Sequence, residues 1–320
     1  MAADSMDQPE GIKYDEGDSP PMDAIEVKNV SKTYHTGTVA LTDVSFSIER
    51  GTVFCLLGRN GAGKTTLLRI LATQLSPTSG SAVVLGHNVV TDTDALRQKI
   101  AVVPQEARPL MMLSAWDHIY YWCKIRGLNT EQAKVRAKEI LEELELWPHK
   151  DKLTADLSGG LRQRVIIGIA LIPNAELIFL DEPSIGLDPL GRRVVWNIIR
   201  KMTQKGVTVV LTTHYMDEAE NLANKLLIIE KGKKVFFGTV EEAKKATGAE
   251  MKMILQKPGT TTLDREVLTP HSEQEIIEAV QRGIREGKLV TFKPPTLEEA
   301  FIHFAGGSIE EAENGGAPHD

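Results

Sequence analysis

The stretch GRNGAGKTT, Gly58 to Thr66, constrains this chain more than any other. Gly58, Gly63, Lys64 and Thr65 satisfy the spacing G-x-x-x-x-G-K-[ST], and the run TVFCLL before them reads as a strand. Beyond them, Leu67, Leu68, Leu71 and Leu75 fall on one face of a helix. Strand, glycine-rich turn and helix together aim consecutive backbone N–H groups at one anion, with a helix N-terminus behind it. In that frame Lys64 neutralises the β- and γ-phosphate oxygens and Thr65 offers its hydroxyl to Mg2+, while Arg59, Asn60, Gly61, Ala62 and Thr66 complete the cradle.

The text around the loop alternates. Runs rich in β-branched residues read as strands at IEVKNV, VSFSI, SAVVL, KIAVVPQ, AELIFLDEP, GVTVVLTTH and KLLIIEKGKKVFFG, with helices at Arg192 to Gln204 and Met216 to Asn224. Such alternation predicts an α/β domain with a mostly parallel sheet. Between Glu106 and Asn174 the pattern turns wholly helical, with Ala133, Ala137, Ile140, Leu141 and Leu144 as an apolar stripe, so this block reads as an insert in the α/β core. After Gly238 the character changes again. Ser272 with Glu275 and Thr296 with Glu299 are helix-opening pairs around the strand KLVTF, which predicts a small α+β appendage over 239–305. The expected division is a disordered leader at 1–23, a main domain at 24–238, the appendage, and a disordered tail at 306–320.

Bulk properties narrow the partners. With 320 residues, 42% of them hydrophobic, the chain can bury a full-sized core. Its longest apolar runs, such as VIIGIALI, stay well short of the roughly 18 residues of a membrane span. A net charge of −7 gives no basic footprint, so no nucleic-acid partner is expected. Cys55 and Cys123 lie in apolar and aromatic surroundings and read as reduced packing residues. The acidic, Pro-bearing leader lacks the plan of a signal peptide.

Three further features carry chemistry. AELIFLDEP is an apolar strand ending in two acids, so Asp181 emerges at the carboxyl edge of the sheet to hold the Mg2+ shell, and Glu182 beside it points to an attacking water. GVTVVLTT delivers His214 to the same edge. LSGGLRQR, Leu157 to Arg164, puts Ser158, Gly159 and Gly160 at the start of a second helix, another anion site in a chain that already has one.

In this order the motifs resemble those of the ATP-binding subunits of ABC transporters, over roughly Ala24 to Gly238. Tyr34 resembles the aromatic that stacks on adenine, Gly58 to Thr66 the Walker A loop, Gln105 the Q-loop glutamine near Mg2+, and Leu157 to Leu161 the signature loop. Asp181 and Glu182 resemble the Walker B pair, Ser184 to Asp188 the D-loop, and His214 the switch histidine. The resemblance implies a P-loop ATPase domain with antiparallel edge strands. It also implies ATP and Mg2+ as cofactors and a head-to-tail dimer with a second copy, in which Ser158, Gly159 and Gly160 of one copy bind the γ-phosphate held by the other. Leu161 departs from the commonest signature, which has Gln there. Together with the PPTLEEAFIHFAGG segment it is similar to exporter ATPases of the daunorubicin-resistance type. A transporter of this kind needs polytopic permease subunits in trans, which would hold the chain at the cytoplasmic face of the membrane. The Met- and aromatic-rich segment Ala107 to Leu128 is the expected dock, alongside plain core packing. A soluble ABC-type ATPase shares every catalytic motif and stays open, as does a weakly hydrolytic regulatory module, against which Glu182 and His214 speak.

Overall fold

β1 (Asp23–Thr33) and β2 (Val39–Glu49) bury Ile25, Val27, Val30, Leu41, Val44, Phe46 and Ile48 and turn intervening residues outward, as in a sheet with one wet face. β3 (Val53–Leu57) is buried at every position, the pattern of a strand covered on both sides. There follow α1 (Lys64–Leu71), β4 (Ser79–Val84), β5 (His87–Asn88), α2 (Thr93–Arg97) and β6 (Ile100–Val103). The insert supplies α3 (Ala115–Ile125), α4 (Thr130–Glu143) and α5 (Gly159–Leu171). β7 (Leu177–Asp181), α6 (Pro189–Gln204), β8 (Thr208–Thr213), α7 (Met216–Leu222), β9 (Lys225–Glu230) and β10 (Lys233–Gly238) complete the α/β part. After these come α8 (Val240–Ala246), β11 (Lys252–Gln256), β12 (Arg265–Leu268), α9 (Glu273–Arg285), β13 (Leu289–Lys293) and α10 (Leu297–Phe304). This computed structural model describes residues 23–247, 251–259, 265–270 and 272–306. The leader and tail expected at 1–23 and 306–320 lie outside the described residues, apart from Asp23 and Gly306.

The central sheet has the order β10-β9-β3-β8-β7-β6, parallel throughout except for the β10–β9 hairpin. An antiparallel sheet, β2-β1-β4-β5, lies beside it. The two sheets meet across aromatic rings: Phe54 of β3 stacks on Phe46 of β2 at 5.2 Å and faces Phe237 of β10 at 6.2 Å. The mostly parallel sheet expected from the sequence is therefore present, and the early strands form a second sheet instead of extending it.

The insert is helical in its three long elements, and residues 144–158 between α4 and α5 hold turns and two short 3-10 segments. Residues 104–114 run as turns and irregular backbone before α3, because Pro104 and Pro109 lack the N–H a helix needs and the Ser114–Asp117 capping box sets the helix start. The stripe Ala133, Ala137, Ile140, Leu141 and Leu144 is fully buried. In the C-terminal segment, Val240, Ala243, Leu297, Ala300 and Phe301 of α8 and α10 belong to the main core, whereas Met253, Leu255 and Ala279 form a small core of their own under the β12-β11-β13 sheet.

Phe54→Ala should empty the joint between the two sheets and destabilise the fold by about 3–5 kcal/mol. Chemical denaturation would register this as a lower midpoint at unchanged m, with Phe54→Leu falling between the two.

Candidate active site

β3 ends at Leu57 and the chain turns at once into the phosphate loop. Gly58 is required because a Cβ there would stand 2.4 Å from the Ile229 carbonyl oxygen. Gly63, at φ +109°, would drive a Cβ to 2.6 Å from the Ala40 oxygen. α1 starts on the next residue, so its free N–H groups open toward the loop. Lys64 is buried, and its Nζ donates to the carbonyls of Gly58 at 2.8 Å and Arg59 at 3.1 Å. Burial lowers its pKa, and the Glu182 and Asp181 carboxylates pull the other way.

Two parallel strands bring the acids to the same place. Asp181 closes β7 opposite Thr212 of β8, and both the Thr212 and Thr65 hydroxyls donate to Asp181 Oδ1, the latter at 3.2 Å. Glu182 follows in a left-handed conformation, φ +49°, which turns its side chain away from that of Asp181. Its N–H is held by the Thr212 hydroxyl at 3.0 Å. Three groups then converge on the Glu182 carboxylate: Lys64 Nζ at 4.0 Å, Gln105 Nε2 donating at 3.2 Å, and His214 Nδ1 at 3.4 Å. Glu182 is thereby a buried acid hydrogen-bonded by Gln105 from the loop after β6 and approached by Lys64 and by the His214 Nδ1, which itself has no hydrogen-bond partner among the described residues.

Lys64, Gln105 and Glu182 border a cleft of about 380 Å³ together with Asn60, Gly61 and Thr65, with Tyr34 at one side; Asp181 and His214 reach it through their contacts with Thr65 and Glu182 and do not line it. The Tyr34 hydroxyl bonds Thr66 Oγ1 at 3.1 Å, which anchors the ring at the rim. The Thr65 hydroxyl, the Asp181 carboxylate and the Gln105 amide are hard oxygen donors of the kind Mg2+ takes, two of them already within 3.2 Å of each other, so the residues fit that ion.

Ser158, Gly159 and Gly160 sit elsewhere. Ser158 caps α5, accepting from the Leu161 N–H at 3.4 Å, and none of the three lines the cleft. Asp188 likewise caps α6, accepting from the Gly191 N–H at 2.6 Å. Thr212 was not singled out by the sequence, although it holds both Asp181 and the Glu182 backbone; a threonine inside an apolar strand gives no pattern to find.

A phosphate loop at the head of a helix, facing two acids at parallel strand ends, defines a P-loop nucleotide hydrolase. The comparisons narrow the class. Residues 41–185 match the family model described as ABC transporter. The chain is 35% identical over 304 residues to a daunorubicin resistance ATP-binding protein, DrrA3, of Streptomyces coeruleorubidus, covering 88% of this chain and 96% of that one. It is 33% identical over 307 residues to a doxorubicin resistance ATP-binding protein, DrrA, of Mycobacterium tuberculosis, covering 87% and 92%. A solved ATP-binding cassette, a dimer in a post-hydrolysis state bound to ADP and Pi, is similar at a TM-score of 0.61 and 28% identity, over 67% of this chain and 98% of that one. The chain belongs to the ABC transporter family, as an ABC-type ATPase of its ATP-binding subunits.

Gly63→Ala tests the cradle. Strain of about 1–3 kcal/mol at that position is borne by the folded free chain, so its melting temperature should fall by several degrees, and the displaced loop should weaken ATP affinity at least several-fold. A melting curve measures the first and nucleotide titration by calorimetry the second.

Proposed function

We propose that this chain is the ATP-hydrolysing subunit of an exporter, working as a head-to-tail pair of identical copies at the cytoplasmic face of a membrane. The observation that carries the proposal is the convergence of Lys64, Gln105 and His214 on one buried carboxylate, Glu182, beside a phosphate loop. That grouping suits hydrolysis of a terminal phosphate, beyond nucleotide binding alone. The resistance functions named in the relatives support export as the direction of transport.

In the proposed reaction, ATP enters the cleft with its adenine on Tyr34 and its phosphates on the N–H groups of residues 58–66. Lys64 exchanges its carbonyl partners for β- and γ-phosphate oxygens. Thr65, Asp181 and Gln105 hold Mg2+, which supplies positive charge against the phosphate oxygens. Glu182 orients the attacking water and accepts its proton, and His214 with Lys64 offsets the charge that builds on the γ-phosphoryl group.

Ser158, Gly159 and Gly160 complete the site of the partner copy. The exposure of Ser158 and Gly159, with Gly160 half-buried beside them, on a helix start away from their own cleft supports this reading. Asp188 caps the helix that follows the D-loop and belongs to the same interface. ATP then joins two half-sites, and loss of the γ-phosphate releases them.

Separate polytopic permease subunits receive the motion. A cleft of about 820 Å³ lies between the central sheet and the insert, bordered by Pro104, Leu110, Trp122 and Ile166 among others, and Gln105 adjoins Pro104 at its edge. Leu110, Met112 and Ile125 are exposed nearby, as an adaptable dock for a permease helix would present them. No helix among the described residues is long and apolar enough to cross a membrane. We assign 24–238 to the ATPase domain and 239–305 to an accessory unit.

Glu182→Gln should lower kcat by about 10²–10⁴-fold while leaving ATP affinity intact, because the amide keeps the shape but takes no proton. Light scattering with ATP should then record a trapped dimer; a variant that hydrolyses ATP at the parent rate would overturn the assignment. Purified in detergent from native cells with ATP, the same variant should bring down a polytopic membrane protein in stoichiometric amount, and only soluble partners would refute the exporter reading.

A further inference from the structure

One buried acid has no part in the scheme above. Glu218 on α7 is fully buried, and its Oε1 accepts hydrogen bonds from the Ser184 hydroxyl and, at 3.1 Å, from the Trp196 indole N–H. Its Oε2 has no partner of good hydrogen-bond geometry among the described residues, although the Thr213 hydroxyl also favours the charged carboxyl. Neighbouring acids on the same helix are paired, Asp217 with Arg192 and Glu220 with Lys244. Glu218 has no ion pair among the described residues. Burial pushes its carboxyl above the usual range, and the surrounding donors offset this only in part.

Apolar packing would fill this position at lower cost than a carboxyl without a cation. What a carboxyl adds is direction: one oxygen fixes two donors that arrive from different elements. Ser184 lies in the turn between Glu182 and α6, where the Ile185 N–H returns to the Glu182 carbonyl at 3.2 Å and the Leu187 N–H to the Ser184 carbonyl at 3.3 Å. Trp196 lies on α6, the helix capped by Asp188. Glu218 itself is one helical turn beyond His214, on the helix whose approach is set by the Tyr215 N–H bonding the Thr213 hydroxyl at 2.9 Å. A single oxygen therefore joins the turn that follows the proposed base to the helix that follows the switch histidine.

We propose that Glu218 is a positioning residue for ATP hydrolysis: by clamping Ser184 and Trp196 to α7 it holds Glu182 and His214 in one relative placement during turnover. This rests on the hydrolytic reading of the cleft given above. Glu218 touches no nucleotide, so it acts on kcat and not on ATP binding. The clamp works with a neutral group, since both of its partners donate to a carbonyl-type oxygen.

Steady-state ATP turnover and ATP affinity of the full chain, measured well below the unfolding temperature, test the clamp with E218A, E218Q, S184A and the E218A/S184A pair. Misplacement of the base should cost E218A about 10–100-fold in kcat at unchanged KM for ATP. S184A should fall in the same direction, and the double variant should lose no more than E218A, since both changes break one contact. E218Q should restore most of the rate, because its amide oxygen accepts the same two hydrogen bonds. A folded E218A with the parent kcat, a loss confined to KM, or additive losses in the double variant would overturn the proposal. Should E218A fail to fold, S184A and E218Q decide: parent kcat in S184A, or an E218Q as slow as E182Q, overturns it. E182Q run in parallel separates the two ideas, since normal turnover there removes the reading of Glu182 itself, whereas an inactive E182Q beside a fully active E218A removes only the clamp.

Discussion

Everything in the cleft hangs from the level ending of three parallel strands. β3, β8 and β7 are bonded in register, with Leu57 opposite Thr213 and Asp181 opposite Thr212. Side chains alternate faces along a strand, so a slip of one residue in β7 would send Asp181 to the opposite face and bring Leu180 into its place. The register is held by buried runs on both sides: Phe54, Leu56, Phe179 and Val210 pack in one core, and Cys55, Leu57, Leu180 and Leu211 in the other. Hydrophobic packing far from the phosphate thus determines which carboxylate meets the Thr65 hydroxyl.

Charge burial sets the second constraint. Lys64 and Glu182 are both buried, and each would be costly alone. They stand 4.0 Å apart, and each has further partners: the Gly58 and Arg59 carbonyls for the lysine, Gln105 for the glutamate. Nucleotide phosphates can take over the lysine without exposing it, because they bring the negative charge that the two carbonyls supply only as dipoles. In the proposed reaction Glu182 would lose part of its counter-charge in that exchange, and the Gln105 amide, which donates to it here, would remain as a neutral partner.

How far the sequence discloses this depends on how local each determinant is. The phosphate loop, the acids at the end of β7 and His214 were legible because each sits at an element boundary whose neighbours announce it. Strand pairing was legible only through the family resemblance, which implied antiparallel edge strands: β1 bonds β2 and β4 in a separate antiparallel sheet, and Phe46 of β2 meets Phe54 of β3 and Phe237 of β10 across the joint. The turns over 106–114 read as helix with the rest of the insert, and Pro109, with Pro104 just before them, decides otherwise. Thr212 and Glu218 were illegible for a different reason. A threonine in a β-branched run and a glutamate in an acidic helix look solvated or structural, and only tertiary contact turns them into ligands of Asp181, Ser184 and Trp196.

The C-terminal segment gains a mechanical meaning from the same contacts. Its change of composition after Gly238 suggested a separate appendage, yet α10 packs on α7 and α8, and Phe304 stacks near Phe236 of β10 at 4.8 Å. Leu297, Ala300 and Phe301 share the main core with Ala219 and Leu222 of α7. The helix that follows His214 is therefore pinned from two sides, by Trp196 and Ser184 through Glu218 and by α10 through apolar contact. Any displacement of α7 would disturb the Glu218 contacts to Ser184 and Trp196 on one side and the apolar packing of α10 on the other, which ties the end of the chain to the helix after His214.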